Sequence, residues 1–406
     1  MPSSCGLWRR RERALHVALV LAALLWLCRP SAPVRPETVQ VEVPAALGPI
    51  ERHVQLQNRM CRGEIPFRAA GWRFVKNVRG RAVWTGGLGN QWEAIVHVYF
   101  LALLTDRAFF LDSANIQNGQ TRILRPAEAE WRWDAKDLNR TCPPAAAARA
   151  QDTSLVRECD AIVGANTPVV FCAGAWRTRL SSLFHWDDQY ANGPTGSLPY
   201  PPALQAKAEQ LGLDRVQHPL KEMFDAWFRP AADLQRMIDI VTPQGDYIGI
   251  HFRSAWYGGR ERQEGGLPQN VNGQVTAALR AHLDCASALC VSSPCAVYLA
   301  TDNQRAVDTI NMPKEMALVN VSNLPRQTHD DADRTRAGLL RAYTDIVLLS
   351  RARAMVGSHK SSFTWLAAGI GAADLFNGQL EGSCTDPTSP RDYFAFEKCF
   401  AHQTCF

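Results

Sequence analysis

The chain has 406 residues, of which 46% are hydrophobic and 20% charged, enough to bury a sizeable core in one large domain or two. Its 12 Trp, 16 Phe and 8 Tyr exclude disorder over most of the length, and the lack of a Gly period or heptads excludes collagen-like and coiled-coil architectures. The net charge of +5 does not indicate a nucleic-acid partner. Residues 1–30 hold five Arg and one Glu, which leaves 39 basic and 38 acidic residues for the rest.

The N-terminal segment predicts a membrane anchor. Four arginines within residues 9–13 precede the apolar run Ala14–Cys28, which contains no carboxylate and ends at Arg29-Pro30. Basic residues before such a run keep an N-terminus in the cytosol. As a helix the run spans about 22 Å, which also suits a cleaved signal peptide, but the prolines that follow it disfavour cleavage. We therefore predict a type II membrane protein with a cytoplasmic tail (1–13), a transmembrane helix (14–28) and a stem (29–60).

The cysteines indicate an oxidising compartment, in agreement with an anchor that delivers the body to the secretory pathway. Ten of the 12 cysteines follow the anchor, and this even number predicts disulfides whose pairing the sequence does not give. Cys285, Cys290 and Cys295 lack the second ligand pair that a zinc site requires. Two sequons for N-glycosylation begin at Asn139 and Asn320.

The first globular segment predicts a βαβ unit. Residues 81–85 form a short strand, residues 86–90 a glycine-rich turn, residues 91–105 a buried helix and residues 108–111 a second strand. The stretch from residue 116 to about 213 is less regular and predicts little.

The last 170 or so residues alternate short strands with helices, a pattern typical of a parallel, doubly wound sheet. Two such α/β units, 61–235 and 236–406, would face each other across a cleft, with ligands at the carboxyl ends of their strands. The predicted strands are 247–252, 296–300, 317–321 and 354–357, and the predicted helices are 274–283, 304–310, 335–351 and 361–370.

Polar residues at the strand ends are the candidate site. Arg253 follows a strand and could clamp a diphosphate bidentately, or it could be an ordinary surface arginine. His251 is either catalytic or a hydrogen-bonded structural histidine. Asp302 is either functional or a helix N-cap. The loop 86–91 (GGLGNQ) could bring backbone N–H groups close to an anion or could be a tight turn, and it matches neither a dinucleotide-binding nor a Walker fingerprint.

Three further features carry less specific signals. Asp345 lies beside an apolar stripe in a predicted helix, where a carboxylate costs desolvation unless it is paired. Ser361 and Ser362 open a helix, where hydroxyls cap the backbone or bind a phosphate. Asp331 and Asp333 form a D-x-D pattern that could hold a divalent metal, although a negatively charged first helical turn also explains it.

Taken in order, these segments resemble the GDP-fucose-dependent fucosyltransferase superfamily, and most of all the plant xyloglucan-type family. Residues 84–90 (WTGGLGN) and 101–112 (LALLTDRAFFLD) are similar to its first signature. Residues 248–253 (IGIHFR) are similar to its second, and residues 345–350 (DIVLLS) and 358–363 (SHKSSF) to its third. The terminal EKCFAH of residues 397–402 also resembles the family's tail.

The resemblance implies a GT-B-like fold and assigns roles to the candidate residues. Arg253 would pair with the GDP diphosphate, and His251 and Asp302 are the candidates for the catalytic base. The resemblance implies donor-binding or pocket-ordering roles for Asp302, Asp345, Ser361, Ser362 and Phe363, and it implies that Gly87, Gly89 and Asn90 shape the cleft.

The predicted function is inverting transfer of fucose from GDP-fucose to a hydroxyl of a glycan or polysaccharide in the Golgi lumen. We expect no metal and no cofactor besides the donor substrate, because a guanidinium and a helix N-terminus can stabilise the leaving GDP. Two alternatives stay open. One is a metal-dependent transferase that uses another nucleotide sugar through Asp331 and Asp333, and the other is a non-catalytic glycan-binding protein on the same fold.

Overall fold

The structure is a computed structural model of the chain. The predicted tail, the anchor and the stem up to residue 46 lie outside the residues it describes, as do the predicted strand 81–85 and nearly all of the predicted helix 304–310. Over the described part, no helix combines the length and the apolar character needed to cross a membrane. The described residues are 47–73, 88–112, 123–133, 135–149, 154–156, 162, 164–172, 202–213, 216, 218–254, 269–291, 293–303, 308, 311–319, 321, 324, 336–358, 361–378 and 384.

The N-terminal half of the described chain combines helices with short strands. Its elements are α1 Pro49–Cys61, β1 Ala69–Arg73, α2 Leu88–Leu104, β2 Ala108–Asp112, β3 Leu124–Pro126, α3 Ala135–Thr141, α4 Pro143–Arg149, β4 Ser154–Val156, β5 Val169–Cys172, α5 Pro202–Leu211, α6 Pro219–Trp227, β6 Phe228–Pro230 and α7 Ala232–Val241.

Four of these strands form a parallel sheet in the order β2-β1-β5-β4, and β3 pairs with β6 in a separate antiparallel ribbon. A βαβ unit is present as β1-α2-β2, but its first strand, Ala69–Arg73, was not predicted, and the predicted first strand at residues 81–85 lies outside the described residues. Gly71 in β1 allows this packing, because a Cβ there would lie 2.5 Å from the carbonyl oxygen of Phe110 and 2.8 Å from a ring carbon of Phe171.

Two predicted boundaries in this half are wrong. The predicted stem reaches residue 60, but residues 49–60 belong to α1, which buries Ile50, Val54 and Met60 in the core. The predicted turn 86–90 overlaps the first residues of α2, which begins at Leu88. Leu88 is buried and adds to the apolar face of the helix, so the helix begins about one turn before residue 91, although Gly89 favours a turn there.

The C-terminal half follows the predicted alternation closely. The strands Tyr247–Phe252 and Ala354–Gly357 have the predicted bounds, and the other described elements shift by a few residues or lengthen. A further strand at the end was not predicted. The elements are β7 Tyr247–Phe252, α8 Gln269–Leu289, β8 Cys295–Thr301, β9 Met316–Leu318, α9 Arg336–Ser350, β10 Ala354–Gly357, α10 Ser362–Gly371 and β11 Leu375–Asn377.

These five strands form a second parallel sheet in the order β11-β10-β7-β8-β9. The central strand β7 is buried along its whole length, as expected for a parallel strand with both faces covered. The carboxyl ends of β10, β7 and β8 are therefore neighbours, and the residues that follow them lie side by side at one edge.

Residues 43–406 form one compact unit, in which one hydrophobic cluster contains residues of both sheets and a second packs α8 against the C-terminal sheet. Trp92 of α2 shows the contact between the halves, because its indole N–H donates to the Tyr343 hydroxyl of α9 at 3.0 Å. The predicted division at residues 235 and 236 falls inside α7 and stays a prediction.

Disulfides join distant and local parts of this unit, as the even number of cysteines predicts. Cys172 forms a disulfide whose other cysteine lies outside the described residues. The described pairs are Cys61–Cys142, Cys285–Cys384 and Cys290–Cys295.

Candidate active site

The carboxyl edge of the C-terminal sheet is held together by side chains that accept backbone hydrogen bonds. Arg253 follows β7, and its backbone N–H donates to the Ser358 hydroxyl, which follows β10, at 2.8 Å. The next residue, Ser254, donates its backbone N–H to a carboxylate oxygen of Asp302, which follows β8, at 2.7 Å. Three neighbouring strand ends are thus connected, and the backbone that carries Arg253 is held on both sides.

A buried histidine supports this edge from the helix behind it. The hydroxyl of Ser358 lies 3.3 Å from His282 Nε2, and His282 Nδ1 lies 2.8 Å from the carbonyl oxygen of Ala278. A carbonyl only accepts, so Nδ1 carries the proton, and Nε2 accepts from Ser358. Burial lowers the pKa of His282 to about 4, which keeps the ring neutral at physiological pH. The result is a satisfied chain from Arg253 N–H through Ser358 to His282.

His251 lies within β7, and its ring contacts the first turn of α10. Its Nδ1 lies 2.5 Å from the Thr364 hydroxyl, and the ring stacks on Phe363 with centroids 4.8 Å apart. Burial, the nearby charge of Arg253 and the proximity of His282 lower the pKa of His251 to about 3. A base with so low a pKa accepts a proton poorly near neutrality, so this environment favours the structural alternative for His251 over the role of general base.

The start of α10 contributes a buried hydroxyl. Ser361 is the N-cap residue, but its side chain makes no capping hydrogen bond, and its Oγ is buried without a partner among the residues that the structure describes. The capping alternative is therefore not realised. A buried hydroxyl beside the N–H groups of a helix N-terminus is suited to an anionic oxygen, because both the hydroxyl and the helix dipole favour negative charge there.

The N-terminal half reaches this helix through Gly89. A Cβ on Gly89 would lie 2.6 Å from the backbone nitrogen of Phe363 and 2.7 Å from the carbonyl carbon of Ser362. Contacts below about 3 Å do not occur for real Cβ atoms, so only glycine permits this approach. The structure therefore packs Gly89 directly against Ser362 and Phe363 at the start of α10.

Asp345 lies in a different environment, inside the contact between α9 and β8. One of its oxygens accepts from the Tyr298 hydroxyl and from Arg341 Nε, the latter at 2.8 Å. Burial raises the pKa of Asp345, while the charge of Arg341 opposes the rise. This arrangement gives Asp345 protein partners and fits a role in ordering the helix behind the sheet.

The remaining predicted residues are only partly described. Gly87, Asp331 and Asp333 lie outside the described residues, and for Asn90 only its position in α2 is described. No cluster of three potential metal-ligating side chains occurs among the residues that are described.

Three residues of this site were given no role from the sequence: Ser358, which belongs to the signature at residues 358–363, and His282 and Thr364. Ser358 opens the S-x-x-S-S-F pattern and follows a predicted strand, so the strand-end rule could have found it. His282 and Thr364 lie inside helices, where nothing in the sequence marks them.

Comparison with solved structures yields similar folds at low sequence identity. A point mutant of FUT1 from Arabidopsis thaliana in complex with GDP superposes with a TM-score of 0.50 at 12% identity, covering 81% of this chain and 78% of that one. NodZ alpha-1,6-fucosyltransferase soaked with GDP-fucose gives a TM-score of 0.45 at 15% identity, covering 79% of this chain and 98% of that one. POFUT1 in complex with GDP gives 0.35 at 10% identity, over 76% and 98% of the two chains.

No protein-family model matches the chain, and no curated protein matches its sequence. The likeness to FUT1 therefore concerns the fold. The predicted α/β architecture with parallel sheets is confirmed, and this fold is similar to that of the FUT1 structure.

Proposed function

We propose that this protein is an inverting fucosyltransferase that uses GDP-fucose as donor and a glycan hydroxyl as acceptor. The observation that carries the proposal is the carboxyl edge of the C-terminal sheet. There Arg253, fixed by Ser358 and Asp302 on its two neighbouring strands, shares an edge with the unpartnered Ser361 hydroxyl at a helix N-terminus. The fold shared with FUT1 and the signatures in the sequence support the same assignment.

In this proposal the donor diphosphate lies between the Arg253 guanidinium and the first turn of α10. As the bond from the sugar C1 to the phosphate oxygen breaks, negative charge grows on GDP, and the guanidinium and the helix N–H groups stabilise it. The acceptor oxygen forms the new bond to C1 from the opposite face and loses its proton. Preorganised donors are effective here because they need no rearrangement as the charge develops.

The catalytic base is best sought outside β7. His251 lies in β7, and its pKa, lowered to about 3, argues against His251 as the base. Asp302 is already an acceptor for the Ser254 N–H, and its second oxygen is the remaining candidate that the sequence named.

We further propose a type II Golgi protein with a lumenal body, anchored by residues 14–28. The apolar run behind four arginines and the disulfides of the body support it. Protease treatment of sealed microsomes should leave a C-terminal tag on the full chain intact, whereas digestion of the tag would contradict the lumenal assignment.

A donor screen tests the activity. The full chain, supplied with an array of glycans, should consume GDP-fucose and not UDP-sugars. Arg253→Ala should lower kcat by about 100-fold to 1000-fold, the range typical for removal of a group that stabilises a leaving charge, and Arg253→Lys should restore little because it loses the planar fork.

Arg353→Ala is the matched control, because Arg353 precedes β10 at the opposite, amino edge of the same sheet, where it donates to the carbonyl oxygen of Leu289. It should retain full activity. Consumption of a UDP-sugar in place of GDP-fucose would refute the proposed function, and unchanged transfer by Arg253→Ala would refute the role of Arg253 in it.

A further inference from the structure

The carboxyl edge of the N-terminal sheet carries a charged pair that the donor site does not use. Arg73 and Asp112 are the last residues of β1 and β2 and lie directly opposite each other in the register. Arg73 Nε donates to Asp112 Oδ2 at 2.6 Å, and the guanidinium carbon lies 4.6 Å from the centre of the Phe171 ring. A carboxylate at one edge and an aromatic face beneath fix the plane of the guanidinium.

The two terminal nitrogens of Arg73 are left available by this arrangement. Among the described residues they have no hydrogen-bond partner, and neither is a buried atom. The Arg73 side chain is 21% exposed, whereas the Asp112 side chain is only 7% exposed. The pair therefore presents one side of a rigid guanidinium, with its N–H donors, from a largely buried support.

The position of the pair is the one where parallel sheets bind ligands. β1 and β5 are the two central strands of the order β2-β1-β5-β4, and ligands of open parallel sheets bind outside the carboxyl ends of the strands. Arg73 ends β1, and Phe171 lies on β5. The Arg73 guanidinium thus lies at the carboxyl end of β1 and over a ring of the neighbouring central strand β5.

The topology also places this edge beside the donor site. The chain leaves β1 at its carboxyl end and enters α2, whose second residue, Gly89, packs against Ser362 and Phe363 at the start of α10. Helix α10 in turn follows the carboxyl end of β10. The carboxyl edges of the two sheets therefore border the same region, one with Arg253 and the other with Arg73.

We propose that Arg73 binds hydroxyl groups of the acceptor glycan, with Asp112 and Phe171 as residues that position it. This inference rests on the proposed function and names the acceptor side of the same site. The planar guanidinium can donate two parallel hydrogen bonds to adjacent sugar hydroxyls. Because the Asp112 carboxylate offsets the charge of Arg73, the pair suits a neutral sugar better than an anionic one.

The test uses the full chain and an array of neutral and acidic oligosaccharides. Glycans labelled by transfer from GDP-fucose identify the acceptor, and kinetics with that glycan are then compared for the wild type, Arg73→Lys and Arg73→Gln. We expect the acceptor KM to rise about tenfold or more in both variants, with the KM for GDP-fucose and the donor hydrolysis rate within about twofold of wild type.

Arg132→Lys is the matched control. Arg132 pairs with Glu130 at 2.7 Å with nearly the same exposure, 23% and 7%, but its backbone bridges to Leu111 on the outer edge of β2, the side of that strand that faces away from β1 and Arg73. Its acceptor KM should not change.

Three results would overturn the inference: an unchanged acceptor KM in the Arg73 variants, an equal rise in both KM values, or labelling confined to acidic glycans that Arg73→Gln abolishes. A second measurement, binding of the glycans on the array to the protein in the absence of GDP-fucose, distinguishes failure of the Arg73 site from failure of the proposed activity. A wild type that transfers no fucose but binds neutral glycans through Arg73 would refute the activity and keep the glycan site.

Discussion

Among the described residues, the side-chain to backbone hydrogen bonds that connect neighbouring strands lie at different edges of the two parallel sheets. In the N-terminal sheet, the buried Arg107 precedes β2, and its terminal nitrogens donate to the carbonyl oxygens of Ala165, Thr167 and Pro168 and, at 3.4 Å, to that of Ala69. The first three of these residues precede β5, and Ala69 is the first residue of β1. One guanidinium thus joins the amino ends of three strands, and it does so with backbone acceptors in place of a carboxylate.

In the C-terminal sheet the corresponding bonds lie at the carboxyl edge. Ser358 and Asp302 accept the backbone N–H groups of Arg253 and Ser254, and His282 supports Ser358 from behind. The polar side chains there fix the positions of groups that would meet the donor.

The comparison between these two edges shows two uses of hydrogen-bonded polar side chains, one structural and one functional. At an amino edge, a hydrogen-bonded side chain completes the sheet and leaves the ligand-binding edge untouched. At a carboxyl edge, the same kind of bond fixes the place where a parallel sheet meets its ligand. Stability and activity should therefore respond to different substitutions, and three variants test that separation.

Arg107→Met should have the largest effect, and on stability. The change removes the donor of four backbone carbonyl groups, of which that of Ala69 is buried and the other three partly buried, while keeping a long apolar side chain, so we expect the free energy of unfolding to fall by about 3 kcal/mol. Urea denaturation of the full chain, followed by tryptophan fluorescence, measures it. The donor KM of the folded fraction should stay at its wild-type value.

Arg62→Met is the control for this variant, because Arg62 pairs with Glu64 on the surface with 60% of its side chain exposed. Solvent screens such a pair, so its loss should leave the urea midpoint almost unchanged. Equal losses in the two variants would show that the bonds of Arg107 do not stabilise the N-terminal sheet.

Gly89→Ala should have an intermediate effect, and on donor binding. The new methyl group meets backbone atoms of Ser362 and Phe363, which cannot rotate away as a side-chain tip can, so the first turn of α10 has to shift. We expect the KM for GDP-fucose to rise about tenfold, which steady-state kinetics with varied donor would measure.

Gly273→Ala provides the comparison, since this helical glycine is exposed and no atom lies within 4 Å of the place that an alanine methyl group would take. Alanine there should leave the donor KM unchanged and stabilise α8 by up to about 1 kcal/mol. Should both alanine variants bind donor normally, the close approach of α2 to α10 would have no part in the site.

The fold was predictable where local pattern and tertiary environment agree. The strands at Tyr247–Phe252 and Ala354–Gly357 are short apolar runs bounded by polar residues, and buried parallel strands have that composition. Strand β1 carries no such signal, because Ala69, Ala70 and Gly71 have low β propensity. It is a strand because Gly71 fits between Phe110 and Phe171, a contact between segments about 40 and 100 residues away that the sequence does not display.

The candidate site divides in the same way. The rule that ligands meet the carboxyl ends of parallel strands located Arg253 and Asp302, which the structure connects through neighbouring strands. It gave no information about His282, which contacts Ser358 from 76 residues away and from within a helix. Asp345 attracted attention as a carboxylate beside an apolar stripe, but its partners Arg341 and Tyr298 supply the pairing that its burial requires.

Ser358→Ala should have the smallest effect, and on turnover. It removes the acceptor of the Arg253 N–H and leaves that group buried beside His282, so Arg253 loses its fixed position but keeps its charge. We expect kcat to fall about fivefold with little change in the donor KM, because a positioning residue acts on the geometry of the transition state. Ser350→Ala, whose hydroxyl bonds to Val347 within α9, should leave kcat within about twofold of wild type.

A double-mutant cycle with His282→Asn distinguishes positioning from simple loss of packing. If Ser358 and His282 act as one chain, the second substitution should add less than about a further twofold to the first, since the connection to Arg253 is already broken. Losses in kcat that multiply in the double variant would show two independent contributions. In that case the histidine would support the sheet without orienting Arg253, and Ser358 and Asp302 would hold the backbone around Arg253 without help from the histidine.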